Sequence, residues 1–495
     1  MNPIHAADYI RILPELVLTA FGIAVMILDP FLPPGQSRRR LGVLSLFGTL
    51  VAIAAAFYQL KWYGVAWSGM VQVDSFSVFF HILIPAISAI CILASLEYLD
   101  QQKINSGEYY GLILFGTVGM VLMSSAIELV LIFIALEISS ISTYILAGYR
   151  RRAAMGTESS IKYFLLGSFA TAFFLYGVAL MYGATRSTSI PDIATSLGSG
   201  NSGALVFTAT ALMLIGLGFK VAAAPFHVWT PDVYEGAPAP IVALMSTGPK
   251  AAAFAVLLRV LFGTNATGWF WLVWISAALS MTLGNLGALV QNNVKRMLAY
   301  SSIAHAGYLL VAFAARNEIG LTAAIFYTAA YAAMNVGAFA VVSHIGSSGE
   351  KYVTIDDYAG LGRRSPLLAF TLTIFMLSLI GIPLTGGFFA KYYVFSAALQ
   401  ADLVWLTIIG VVNSAVAAYY YLRLIVVMYM REPSMDAAPE PVSPAMGTAL
   451  VLAAIATVYL GVVPSSVVNY ATKGAKELVM VNGQTAVTAT TANKQ

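Results

Sequence analysis

The sequence predicts an all-α polytopic membrane protein, with about fourteen transmembrane helices, two inverted five-helix repeats and two broken helices. Three observations predict it. Hydrophobic residues make up 59% of the chain and charged residues only 10%, where soluble domains carry about a quarter charged. Mean hydropathy is +0.81, and apolar stretches of about 20 residues, each enough to cross a hydrocarbon core of about 30 Å, follow one another along nearly the whole length. Two stretches, ALMLIGLGFKVAAAPFHVW and GIPLTGGFFAKYY, are interrupted by proline or glycine beside a lysine.

Taken in order, the spans lie near residues 10–30, 41–60, 75–98, 108–126, 128–149, 159–185, 203–233 (broken), 239–263, 268–290, 293–315, 319–345, 366–400 (broken), 403–430 and 446–465. The first opens with Pro14 and Glu15 and has no basic leader region, so it reads as a retained span. An even count puts both termini on one side. Basic residues stay in the cytoplasm, and Arg38 to Arg40, Arg150 to Arg152, Lys295 with Arg296, and Lys351 with Arg363 and Arg364 all fall on one face. The opposite loops carry mainly Lys61, Arg186 and Arg316. Both termini are therefore expected in the periplasm of a bacterium whose inner membrane holds the chain. The polar segments 186–202 and 346–365 read as linkers, and the tail after about Ser466 as poorly ordered.

Proline removes a backbone donor and clashes with the preceding turn. Lys220 precedes Pro225 in the first broken span; Pro383, Gly386 and Gly387 precede Lys391 in the second. The breaks are five spans apart, an odd number, so a duplicated five-helix unit is inserted upside down, the arrangement in which discontinuous helices define ion sites. The chain then divides into a three-helix region 1–105, repeats at 106–265 and 266–430, and a final span with its tail at 431–495.

The net charge of +4 is spread over loops and argues for a topology signal in the lipid bilayer, with no nucleic-acid partner. Cys91 is the only cysteine, which excludes disulfides and iron-sulfur ligation. No nucleotide fingerprint is present, and the five histidines lack ligand spacing, so no cofactor or metal is expected in this chain. Redox chemistry must belong to other chains.

Buried ionisable groups carry the functional signal. A charge at the centre of a span costs about 2.5–3.5 kcal/mol even on mild insertion scales, so each needs a partner or water. Glu137, in LVLIFIALEISSISTYIL, has Lys220 as its natural partner, and moving or screening the carboxylate would load or unload the lysine. The plainer reading is a static pair that orders two helices. Lys250, His305 in YSSIAHAGY, and Lys391 extend a row of proton sites from one half to the other. His227, beyond the first break, either admits protons or braces unwound backbone. Lys162 either snorkels to the interface or gates. Asp232 and Glu235 read as cap and loop residues. Glu15, Asp74, His81, Glu97 and Arg259 lie near span ends, where solvation is affordable. Serines and threonines near Glu137 and His305 hold a water wire or satisfy neighbouring helices.

The motifs PFHVWTPDVYEGAP, LEISSISTYIL, SIKYFLLGSF, QNNVKRMLAYSSIAHAGY and GIPLTGGFFAKYYVF resemble the antiporter-like membrane subunits of bacterial respiratory complex I, the NADH:quinone oxidoreductase, and in wording most of all its subunit N branch. The resemblance spans essentially the whole chain. It implies two inverted repeats with broken helices seven and twelve, Glu137 and Lys220 as a charged pair, Lys250 as the connecting lysine and Lys391 as the terminal one. It also implies subunits M and K as neighbours, and FMN, iron-sulfur clusters and a quinone on other subunits. The long C-terminal amphipathic helix of subunit L is not expected here. The function implied is proton translocation driven by quinone reduction elsewhere in the complex. The alternative is an Mrp-type cation/proton antiporter subunit without redox coupling; a membrane-embedded enzyme or a static scaffold fits less.

Overall fold

The computed structural model describes residues 5–492, apart from 34, 152, 199–202, 264–267, 347–348 and 434–440. Arg152, part of one basic cluster, lies outside the described residues. The chain opens with a short helix α1 (Ala6–Arg11), followed by α2 (Leu13–Leu28) and α3 (Arg39–Gln59). A small antiparallel ribbon, β1 (Gly64–Ala66) with β2 (Val71–Val73), leads into α4 (Ser75–Gln101). Then come α5 (Glu108–Ser125), α6 (Leu129–Ala147), α7 (Ala154–Thr185), the short α8 (Ile190–Gly198), α9 (Ala204–Val221) and α10 (Thr230–Gly236). The second part holds α11 (Ala239–Gly263), α12 (Phe270–Leu289), α13 (Val294–Ala314), α14 (Glu318–Gly346), a one-turn α15 (Leu361–Arg364), α16 (Pro366–Ile380), α17 (Gly386–Gln400) and α18 (Val404–Met430), with α19 (Pro444–Val462) and α20 (Pro464–Ala492) closing it.

Twelve of these helices are long and apolar enough to cross a membrane, among the described residues. The chain is a multi-pass membrane protein. α11, α13 and α14 are enclosed almost entirely by other helices, and carry neighbouring small residues such as Ala251 to Ala253 and Gly337 with Ala338. Without a hydrophobic drive between helices in lipid, small residues give the close backbone approach that dispersion needs. Gly284 on α12 shows the limit: a Cβ there would meet the Ala304 nitrogen of α13 at 2.6 Å. The peripheral helices instead turn leucine, isoleucine and phenylalanine outward, as lipid contact requires.

Both expected breaks are present. α9 stops at Val221 with Ala222 in the left-handed region, and α10 starts only at Thr230. α16 stops at Ile380 with Gly381 at φ +94°, and α17 starts at Gly386. The basic loops gather at one end, tied by Arg39 to Asp100, Arg150 to Glu350, Arg296 to Asp232 and Arg431 to Asp356.

The tail differs from the sequence expectation. α20 packs against α4 and α14, burying Ala471, Ala475 and Leu478, while Glu477 accepts from the Ser75 nitrogen at 2.7 Å. Spacing of three and four residues gives the helix one apolar face, which a small and polar average composition conceals.

Candidate functional site

The first break is stabilised by neighbours that satisfy the backbone groups it frees. Ser280 of α12 accepts from the Ala224 nitrogen at 2.7 Å, Ser276 donates to the Ala224 carbonyl at 2.6 Å, and Trp229 Nε1 donates to the Phe219 carbonyl at 3.1 Å. Trp229 stacks on Tyr163 and Phe219, so an aromatic stack takes the place of the missing turn. Lys220 occupies the last turn of α9, where helix carbonyls favour a cation. It is 3% exposed, lies 5.7 Å from the ring centres of Tyr144 and Tyr163, and donates to Ser140 Oγ at 3.0 Å.

That contact belongs to Ser140, while Glu137, expected from sequence as the partner of Lys220, stands nearby without an ion pair to it. Glu137 is half-buried on α6, one turn before Ser140, and its Oε1 accepts no hydrogen bond. The carboxylate acts on the lysine through space, and the contact belongs to the hydroxyl. A serine can face the buried seam while Glu137 stands at its edge, because residues three apart on a helix are displaced by about 60°.

Lys250 follows Pro249 inside α11 and is 3% exposed. Its Nζ donates to the Ser302 carbonyl at 3.0 Å and to the Ser302 hydroxyl. Beyond Ser302, a void of about 10 Å³ is lined by Lys250, Thr247, Thr328, Tyr331 and His305. Phe254 and Leu309 line it as well, so its walls are largely apolar. His305, enclosed on α13, has Nδ1 2.7 Å from the Tyr327 hydroxyl and Nε2 3.4 Å from that of Tyr421, which in turn meets Ser301.

Lys391, on α17, reaches back across the second break. Its Nζ donates to the Leu379 and Ile380 carbonyls of α16 at 3.1 and 2.8 Å and to Ser414 Oγ at 2.8 Å. It also sits 5.0 Å above the ring of Tyr308, whose edge meets the His305 ring with 5.6 Å between centres. Each break thus sets a lysine at the carbonyl end of a half-helix, with a serine from another helix accepting a hydrogen bond from it. A cavity of about 510 Å³ beside Lys391 and Ser414 opens at the bundle surface.

The structure therefore brings Lys250, His305 and Lys391 into one chain of contacts through Ser302 and Tyr308, and Glu137, Ser140 and Lys220 into another. Tyr234 stands between the two, and sequence reasoning missed it. Its buried hydroxyl neighbours Tyr163 on the Lys220 side and Ser302 and Tyr331 on the Lys250 side, and has no hydrogen-bond partner of good geometry. Only its place inside PDVYEGAP marked it. His227 and Pro225 lie in the first break and Pro383 in the second. Lys162 does not simply snorkel: Nζ donates to Asp232 at 2.7 Å, and Arg296 bridges Asp232 and Glu235 at 2.7 and 2.8 Å. Asp232 and Glu235 are helical and paired, not cap and loop residues. Among the described residues no group of three or more His, Cys, Asp or Glu could hold a metal ion.

The profile of the family "NADH:quinone oxidoreductase/Mrp antiporter, TM" matches residues 126–417, which contain both breaks and all five row residues. A protein of Koribacter versatilis described as NADH-quinone oxidoreductase subunit N 2 is 65% identical, over 96% of this chain and 98% of its own. The chain belongs to the NADH-quinone oxidoreductase subunit N family. Among solved structures, a chain of respiratory complex I from Thermus thermophilus with bound aureothin is similar at 38% identity and a TM-score of 0.79, covering 92% of this chain and 98% of that one. A chain of the Mrp complex from Dietzia shares the fold at 21% identity and a TM-score of 0.83, covering 97% of this chain and 99% of that one. For a subunit N family member, the buried lysines are placed on the architecture that both complexes share.

Proposed function

We propose that this chain is a proton-translocating membrane subunit of an NADH:quinone oxidoreductase, a translocase component with no redox centre of its own. The single observation that carries the reading is the pair of lysine-bearing helix breaks, joined inward by Tyr234, Lys250, Ser302, His305 and Tyr308, in a chain of the subunit N family. Electron transfer from NADH to quinone, on subunits holding FMN and iron-sulfur clusters, perturbs the field of Glu137 at Lys220. The lysine proton passes through Lys250 and His305 to Lys391. Moving each charge against the membrane potential costs about 2.3 kcal/mol per 100 mV, and only dry, strongly coupled groups supply shifts of that size.

In this reading the twelve apolar helices, α5 and the α16/α17 pair make fourteen crossings of a bacterial inner membrane. The basic end faces the cytoplasm and both termini the periplasm. Residues 106–265 and 266–430 are inverted repeats flanked by 1–105 and 431–495. Subunits M and K are the proposed neighbours. The Mrp-type antiporter reading has weaker support, since that likeness at 21% identity extends to the fold alone.

The experiment is Lys250→Met in the assembled complex, assayed for NADH-driven proton uptake in inverted vesicles. The reading expects normal assembly with proton uptake per NADH sharply lowered. Unchanged uptake in an assembled complex sinks the relay.

A further inference from the structure

A second group of buried charges lies at the opposite end from the basic loops. Solvation at span ends had been the sequence expectation for Glu15, Asp74, His81 and Arg259; all four are in fact buried, His81 completely. Glu97, at the basic end of α4 near Asp100, is half-buried, with Gln101 donating to it at 3.3 Å. Packing of α2, α3, α4, α5 and α11 around these positions removes the water that sequence position alone would grant them.

The orientation of Gln59 fixes the chemistry. Its Nε2 donates to the Arg11 carbonyl at 2.9 Å and the Ile10 carbonyl at 3.4 Å, so Oε1 faces His81 Nδ1 at 2.8 Å. Oε1 can only accept, so Nδ1 carries the hydrogen. With the ring neutral, its Nε2 lone pair faces Glu15 Oε1, 3.8 Å away, with the Val121 carbonyl also beside the ring. Neither Glu15 oxygen accepts a hydrogen bond of good geometry, though the Ser125 hydroxyl is adjacent. Two acceptors facing each other in a dry site repel unless a proton lies between them. A neutral acid beside a neutral imidazole costs less there than a separated ion pair.

From this pair a column of polar groups runs to the surface. Ser125 adjoins Ser124, whose carbonyl accepts from Arg259 Nε at 2.8 Å. Arg259 Nη2 donates to both Asp74 oxygens, at 3.1 and 3.2 Å. Asp74 adjoins Ser75, which meets Tyr63 at 3.0 Å and donates from its nitrogen and hydroxyl to Glu477 at 2.7 and 3.0 Å. Glu477 lies on α20 beside the exposed Lys473. The other charges facing the pair are mutually neutralised: Arg259 with Asp74, and Asp8 with Arg11 on α1.

We propose that Glu15 and His81 form a proton-binding site, with the proton on the carboxyl, that exchanges with the non-basic face along the polar column lined by Ser125, the Arg259–Asp74 pair and Ser75, ending at Glu477. The site stands apart from the lysine row and does not depend on that row conducting.

Infrared spectra of membranes holding the intact complex test it. The wild-type-minus-E15Q difference at neutral pH is expected to contain one protonated-carboxyl band. On transfer to D₂O that band shifts, and in E477A it shifts at least tenfold more slowly. Absence of the band overturns the protonation, and an unchanged exchange rate in E477A overturns the route. Should E15Q not assemble, dicyclohexylcarbodiimide, which attacks protonated carboxyls, is applied to the wild-type complex and read by peptide mass spectrometry. An adduct on Glu15 supports the site; an unmodified Glu15 beside other labelled carboxyls overturns it.

Discussion

Lys220 Nζ donates to Ser140 Oγ at 3.0 Å and forms no ion pair with Glu137, although the carboxylate stands one turn away on the same helix as that serine. The lysine therefore has a neutral docking partner and a charged neighbour that tunes it. A proton carrier that must give up its proton is held better this way, because a hydroxyl accepts from the ammonium and can donate to the amine.

Ser140→Ala follows from this. A hydrogen bond to a charged group is worth about 1.5–3 kcal/mol, roughly ten- to hundredfold in the occupancy of the docked lysine. NADH-driven quinone reduction is expected to fall with assembly intact. In a double-mutant cycle with Glu137→Gln the losses in rate are expected to be non-additive, since both act through one lysine. Additive losses would count against the shared role.

His305 depends on Tyr327 for its Nδ1 partner in an enclosed site. Tyr327→Phe leaves that nitrogen unpaired, at a cost of about 1–3 kcal/mol. Thermal unfolding of the purified complex is expected to shift down, and proton uptake to drop more than quinone reduction. An unshifted melting curve would show that another group takes the nitrogen.

Glu350, in the loop after α14, is enclosed at the basic end, where it pairs with Lys295 at 2.7 Å and Arg150 at 3.0 Å and accepts from Tyr98 and the Ala239 nitrogen. Burial pushes its carboxyl up, but the two cations and the hydrogen bonds outweigh it and hold it below the usual 4.5. The folded form thus binds its proton less readily than the unfolded chain. The stability this contributes is complete above the ordinary carboxylate range and is lost as pH falls below it. Glu350→Gln strands Lys295 and is expected to cost about 3–5 kcal/mol and to flatten the acid limb of a melting-temperature profile against pH. An unchanged acid limb would assign that limb to other carboxylates.

Gly387, near the start of α17, packs against the Ser378 carbonyl so closely that a Cβ would collide with it, while its nitrogen donates to Ser378 Oγ at 3.2 Å. Gly387→Ala is expected to push α17 off α16 and displace Lys391 from the Leu379 and Ile380 carbonyls. Reduced incorporation into the complex on native gels checks this, and full incorporation with normal turnover would show that the break tolerates the shift.

How much of this was legible follows from the kind of signal. Lys220, Lys250 and Lys391 stand out because a charge inside an apolar run is costly wherever it occurs, and Pro225 and Gly387 punctuate helices by local sterics. Ser140 stood out only as one of several hydroxyls near Glu137, and Tyr234, Ser276 and Ser280 not at all, because hydroxyls are common on membrane helices and only tertiary proximity separates a lysine partner from a packing residue. The burial of Glu15 and His81 was hidden for the same reason: distance from a span end says nothing about which helices close over it. α20 was missed because Ala471, Ala475 and Leu478 form a narrow apolar face that docks only once α4 and α14 present theirs.

The most direct measurement is Lys220→Ala in the native membrane, with assembly, NADH-driven quinone reduction and proton uptake followed on the same vesicles. The account predicts intact assembly with turnover or proton uptake sharply lowered. Intact assembly with both unchanged would contradict it and leave Lys220 as a packing residue.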